Sequence, residues 1–213
     1  MALKKLAIIG SGDLGEQIAW HARLDNHYTV VGFFDDYAEP GIARHGLPVL
    51  GKVSDVVVSY KNGLFDELLI AIGYKHFEQR RDIYNSLKDV VPFGRMIHSS
   101  SYVDPSVKVG HGVVVYPGCV IDMKAQLDDN VLLNAGVVIA HDTAIGSHSF
   151  LSPGVKVAGF VRVGNCVSLG IGTCVVDNLQ IADFVRTGAG AVVTDNLTEP
   201  GLYLGVPARY KKA

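Results

Sequence analysis

Cysteine is scarce and odd in number. Cys119, Cys166 and Cys174 have neither a paired nor a metal-like spacing, so they read as reduced thiols and point to a cytoplasmic protein. A surplus of charge is missing too: 19 Lys and Arg face 21 Asp and Glu, a formal net charge of −2. That balance argues against a nucleic-acid or anionic-membrane surface. Long apolar runs are absent. The opening "MALKKLAIIGSGDLGEQ" has a very short apolar stretch, which fits neither a signal peptide nor a membrane span. What is abundant is Gly, with 24 residues spread along the chain, a sign of many tight turns and not of one flexible linker. At 213 residues the chain can bury one large core or two small ones.

Residues 1–92 alternate strand-like and helix-like segments. "KKLAIIG" (Lys4–Gly10), "TVVGFFDD" (Thr29–Asp36) and "ELLIAIG" (Glu67–Gly73) read as strands. Leu14–Leu24 places Leu14, Ile18 and Ala22 on one helical face, and His76–Val90 does the same with Phe77, Ile83 and Leu87. Strands alternating with helices predict a small parallel sheet of Rossmann type.

Over residues 93–213 the rhythm changes to six. Ile97, Val103, Val109 and every sixth residue on to Val193 make seventeen positions, of which sixteen are aliphatic and one is Thr187. Val107, Val113, Ala125, Val131, Val137, Thr143, Val155, Val161, Val167 and Thr173 form a second column of small or β-branched residues. A period of six is neither helical nor strand-like. It fits a parallel β-helix in which each hexad makes one face of a prism and three hexads make a coil. The aliphatic residue then stacks on its equivalent 18 residues on, with coils about 4.8 Å apart. The fold class is therefore mixed α/β, a Rossmann-like domain followed by a β-helix.

Hexads after a small Rossmann-like domain, with "IIGSGDLGEQI", "FFDD", "IAIG" and a closing "GVPAR" (Gly205–Arg209), resemble the hexapeptide-repeat sugar acetyltransferases of the sialic-acid O-acetyltransferase type. The resemblance covers nearly the whole chain. It implies a left-handed β-helix, a homotrimer, acetyl-CoA as co-substrate, no metal, and N-acetylation of a UDP- or dTDP-linked amino sugar. A 4-amino-4,6-dideoxy sugar of surface glycan synthesis fits the best-understood branch. O-acetylation of a sugar hydroxyl remains open, as does a non-catalytic nucleotide or dinucleotide sensor on the same scaffold.

The resemblance also implies roles. "NAGVVIAH" (Asn134–His141) matches the family's stretch ending in its general base, so His141 is the expected base, Asp142 its polarising partner and Asn134 a polar helper. A neutral imidazole can take the proton that an amine must lose as it attacks a thioester. At two places after inward Ile139, His141 falls on a prism corner and points outward; a solvated corner histidine is the plain alternative. His148 falls on the next corner, too far to share a metal, and reads as a surface residue. The family's second histidine aligns with Phe150, a departure that removes one expected CoA contact. Gly159, 18 residues after His141, is expected to leave room for the thioester. Ile171 and Ala189 would line the CoA groove, and Arg209 would meet CoA phosphates.

"GSGDLG" (Gly10–Gly15), followed by Asp35 and Asp36, is by itself a dinucleotide fingerprint, and a NAD-dependent oxidoreductase is its natural reading. About 90 residues are too few for a full doubly wound domain. The resemblance assigns the loop to the nucleotide of the acceptor sugar, with Gly10, Gly12, Asp13, Leu14, Asp35, Asp36 and Gly73 as contacts.

Overall fold

The computed structural model describes residues 2–212 and divides into two compact units, one ending at Met96 and the other beginning at Ile97. The first unit runs β1 (Lys5–Ile9), α1 (Asp13–Leu24), β2 (Thr29–Phe34), β3 (Ala43–Arg44), β4 (Leu47–Gly51), α2 (Val56–Lys61), β5 (Glu67–Ile70) and α3 (Phe77–Leu87). Its sheet order is β3-β4-β2-β1-β5, parallel except for the β3–β4 hairpin. Leu6, Ala7 and Ile8 on the central β1 are fully buried, as an apolar strand covered on both faces should be. The chain winds outward from β1 through β2 to β4, then returns to the other side of β1 as β5. That reversal opens a crevice at the carboxyl ends of the strands. The hairpin and α2 have no strong periodicity, and the sequence reading passed over them.

In the second unit the six-residue beat becomes two-residue strands joined by corners. The first face of the prism carries strands at 102–103, 120–121, 138–139, 156–157, 174–175 and 192–193, all parallel and paired in register 18 residues apart. The second face carries 108–109, 126–127, 144–145, 162–163 and 180–181. The third carries 114–115, 132–133, 150–151 and 168–169, among others. Ile121, Ile139, Val157 and Val175 stack inside the first face, each at most 3% exposed. Full burial of one such side chain stabilises by about 1.5–3 kcal/mol.

Three residues after each inward aliphatic from Val109 to Ile181 the backbone turns through a left-handed conformation, as at Asp142 with φ 58°, His148 with 65°, Gly154 with 70° and Phe160 with 59°. Polar side chains stitch corners to neighbouring coils. The buried Thr143 hydroxyl donates to the Ala158 carbonyl at 2.7 Å and accepts from the Val161 amide at 3.1 Å. A hydroxyl is thus accommodated in a column made mostly of Val.

Candidate active site

His141 lies on the corner between the first and second faces of the prism, directly after the strand Val138–Ile139. Its side chain is 45% exposed. Nδ1 is 3.1 Å from Asp142 Oδ2, so the tautomer protonated at Nδ1 donates to the carboxylate and leaves a lone pair on Nε2. The left-handed backbone at Asp142 turns that carboxylate back toward the preceding ring. One coil on, Gly159 runs close beneath the imidazole. A Cβ there would lie 2.8 Å from Cε1 and 3.0 Å from Nε2. The missing side chain of Gly159 thus makes room for the imidazole of the same chain. Phe160 meets the same ring edge-on, with centroids 5.1 Å apart and planes at 85°. Sequence reasoning missed Phe160, although its place 18 residues after Asp142 could have revealed it. Arg162 donates from Nη1 to the Asp142 carbonyl and Phe160 N–H donates to the His141 carbonyl at 3.2 Å, which fixes the corner from the next coil.

Asn134 occupies the opposite edge of the first face, at the corner with the third face, on the order of 15 Å from His141 along the strand. Its amide donates to the Leu151 carbonyl at 3.2 Å. Ile171 and Ala189 share that opposite edge and are exposed. Within one chain, then, Gly159 comes to His141 while Asn134, Ile171 and Ala189 do not. Arg209 is exposed and pairs with Asp195 at 2.9 Å.

The expectation that His148 is a surface residue is overturned. It is 6% exposed, and its Nδ1 lies 3.1 Å from the amide nitrogen of Asn130, itself fully buried. The corner between the second and third faces packs its turn residues inward enough to take an imidazole, which a count of hexads could not show. Phe150 is also buried, on a different face from His141. Among the described residues no group of three His, Cys, Asp or Glu side chains converges on a metal position.

In the first unit, the crevice at the ends of β1, β2 and β5 holds a cavity of about 370 Å³. Gly10, Asp35, Asp36 and Gly73 line it, joined by Tyr37, His76 and Gln79, which the sequence did not single out. Asp35 is committed to the protein: one oxygen accepts from the amide and hydroxyl of Ser11 at 2.8 and 2.6 Å, the other from the Tyr37 amide at 2.9 Å. Burial works to raise its pKa, but these bonds and the Arg44 charge outweigh it and hold the carboxyl below its ordinary value. Asp36 accepts from the Val53 amide at 2.9 Å.

The three glycines of the loop differ in purpose. Gly10 has φ 100° and a Cβ there would lie 2.8 Å from the Ala71 carbonyl oxygen, while a Cβ on Gly15 would strike Gly10 O. Gly12, before the first turn of α1, has nothing within 4 Å of where a Cβ would stand. Asp13 and Leu14 open α1 and, like Gly12, do not line the cavity.

Residues 5–87 match the family model described as the PglD N-terminal domain. No curated protein sequence matches the chain. The whole chain superposes on PerB from Caulobacter crescentus, solved with CoA and GDP-perosamine, at 31% identity and a TM-score of 0.90 over 99% of each chain. Two further structures of that enzyme, a perosamine N-acetyltransferase, carry a histidine replaced by asparagine or alanine. The acetyltransferase domain of PglB from Neisseria gonorrhoeae, in complex with acetyl coenzyme A, matches at 27% identity and a TM-score of 0.87 over 99% of this chain and 100% of that one. WeeI from Acinetobacter baumannii shares the fold at 22% identity, with a TM-score of 0.84 over 99% and 100%. The prism is accordingly the left-handed β-helix. With this agreement over both units, the chain belongs to the hexapeptide-repeat family of sugar N-acetyltransferases and is an acyltransferase.

Proposed function

We propose that the protein transfers the acetyl group of acetyl-CoA to the amino group of a nucleotide-linked amino sugar by direct attack, with His141 as general base. The first unit binds the nucleotide and the β-helix carries out the transfer. The amine attacks the thioester carbonyl and its proton passes to His141 Nε2. The tetrahedral intermediate then collapses, the C–S bond breaks, and the CoA thiolate leaves and takes up a proton. Asp142 keeps the imidazole in the required tautomer and stabilises the imidazolium. The observation that carries the reading is the bracketing of His141: Asp142 on Nδ1, Gly159 beneath, and Nε2 with no hydrogen-bond partner among the described residues.

Three features support the rest. Gly12 has no packing reason to be glycine and stands at the N-terminus of a 12-residue helix, a position suited to a phosphate. PerB holds GDP-perosamine and CoA, and the PglB domain holds acetyl coenzyme A. On the first face of the β-helix Tyr102 and Val120 are exposed apolar residues beside Lys156, and Met123, Phe160 and Ile171 are exposed at its edges, whereas Lys108, Gln126, Arg162 and Gln180 cover the second. That apolar face suits contact between copies in a trimer, which would bring Asn134, Ile171 and Ala189 of one copy toward the His141 edge of the next.

The test is to incubate the protein with acetyl-CoA and UDP-, dTDP- and GDP-linked amino sugars and to follow free thiol release. Turnover with one nucleotide series, lost in His141→Ala with both ligands still bound, is expected. Unchanged turnover in that variant would defeat the base assignment.

A further inference from the structure

We propose that Phe160 is the positioning residue that holds the His141 imidazole in its working orientation; this rests on the reading of His141 as the base. Phe160 turns the same kind of corner as Lys124, Asp142 and Asn178, at φ 59° against 58°, 58° and 61°. Asp and Asn adopt the left-handed region with little strain, and an aromatic residue does not. Within one copy the ring is 51% exposed. Phe184 turns a corner at φ 58° and is exposed as well, so the backbone strain is not peculiar to Phe160; what ties Phe160 to the site is its edge-on contact with His141.

An imidazole 45% exposed is free to rotate unless something blocks it. Gly159 closes the space beneath the ring and Asp142 holds one nitrogen. Phe160, perpendicular to the imidazole at 5.1 Å, closes a further side. Turning the imidazole about its bond carries its edge past the phenyl group, so the contact resists that rotation, while the Asp142 carboxylate selects the ring nitrogen that faces it. Nε2 is then kept on the open side, where an acceptor amine must lose its proton. Strain stored at a residue whose gain lies in a neighbour's geometry is a recurring feature of working sites.

The experiment compares wild type, Phe160→Asn and Phe160→Tyr as full-length proteins. It uses steady-state kinetics on the acceptor found in the nucleotide panel, thermal melting, sedimentation, and histidine ring 15N NMR with the His141 signals assigned by their loss in His141→Ala. In Phe160→Asn the melting temperature rises by a few degrees as the strain is relieved. Its kcat falls about three- to tenfold, with both KM values within about twofold, and its His141 ring signals shift and broaden as the imidazole samples more than one orientation. Phe160→Tyr retains kcat. Unchanged kcat in Phe160→Asn overturns the proposal. So does a loss of kcat accompanied by a lower melting temperature or a changed assembly state, which makes the ring a packing contact. A rise in KM alone also overturns it and makes the ring a substrate contact. If wild type acetylates nothing while the ring NMR still depends on Phe160, the acetyltransfer reading fails and the positioning role stands.

Discussion

Gly159→Ala should separate catalysis from stability. The backbone of Gly159 lies outside the left-handed region, so alanine fits the main chain. The added Cβ would stand 2.8 Å from His141 Cε1 where about 3.5 Å is needed, so the ring must move by about 0.7 Å or more. Half-exposed, the ring can swing outward at little cost to the fold, but it leaves Asp142 and Phe160 as it does so. The fold gains about 0.4–1 kcal/mol from a stiffer unfolded chain, which offsets the lost ring contacts. The apparent melting temperature should then stay within about 2 °C of wild type. A reacting group misplaced by about 1 Å costs on the order of a hundredfold in rate, and a similar loss in kcat is expected here. Thiol release under saturating substrates measures it. The decisive arm is the double variant, since Gly159→Ala should have no further effect once His141 is alanine. Full turnover in Gly159→Ala refutes the argument, and an equal loss in the His141→Ala background would move the glycine's role from the base to the thioester.

Other perturbations test the scaffold. Ile139→Ala empties a fully buried position between Ile121 and Val157 and should cost about 2–5 kcal/mol in chemical denaturation, whereas Ile139→Val should cost about 0.5–1.5 kcal/mol. His148→Ala removes the buried contact between the imidazole and the Asn130 amide, so stability should drop by about 1–3 kcal/mol while kcat per folded enzyme is unchanged. Asp35 has a depressed folded-state pKa, so its stabilisation is present above the unfolded carboxylate value of about 3.9 and fades as pH falls through the lower folded value. Melting curves of wild type and Asp35→Asn should therefore differ at neutral pH and converge below about pH 4.

The period of six made the prism legible because one residue type had to recur wherever the chain faced its own core, and Ile121, Ile139 and Val157 do so without interruption. The same arithmetic placed Gly159 under His141, since register in a β-helix is counted in steps of 18. Counting fails where a residue's surroundings depend on the conformation of a corner. His148 and Asp142 share the left-handed turn at φ 65° and 58°, yet one is buried on Asn130 and the other braces an exposed imidazole. Asn130 stands among Gly112, His148 and Cys166 at equivalent positions, a mixture with no pattern that would announce an enclosed corner. The glycine loop shows a further limit: its motif is required by packing at Gly10 and Gly15, and only the empty space around Gly12 sets that glycine apart from the other two. Asp35 shows the converse, a residue that lines the cavity but whose carboxylate is committed to Ser11 and Tyr37 through main-chain amides that leave no mark in the sequence. A side chain's type and spacing can thus nominate it for a site, but the partners that decide its work are set by backbone groups of coils and loops far away along the chain.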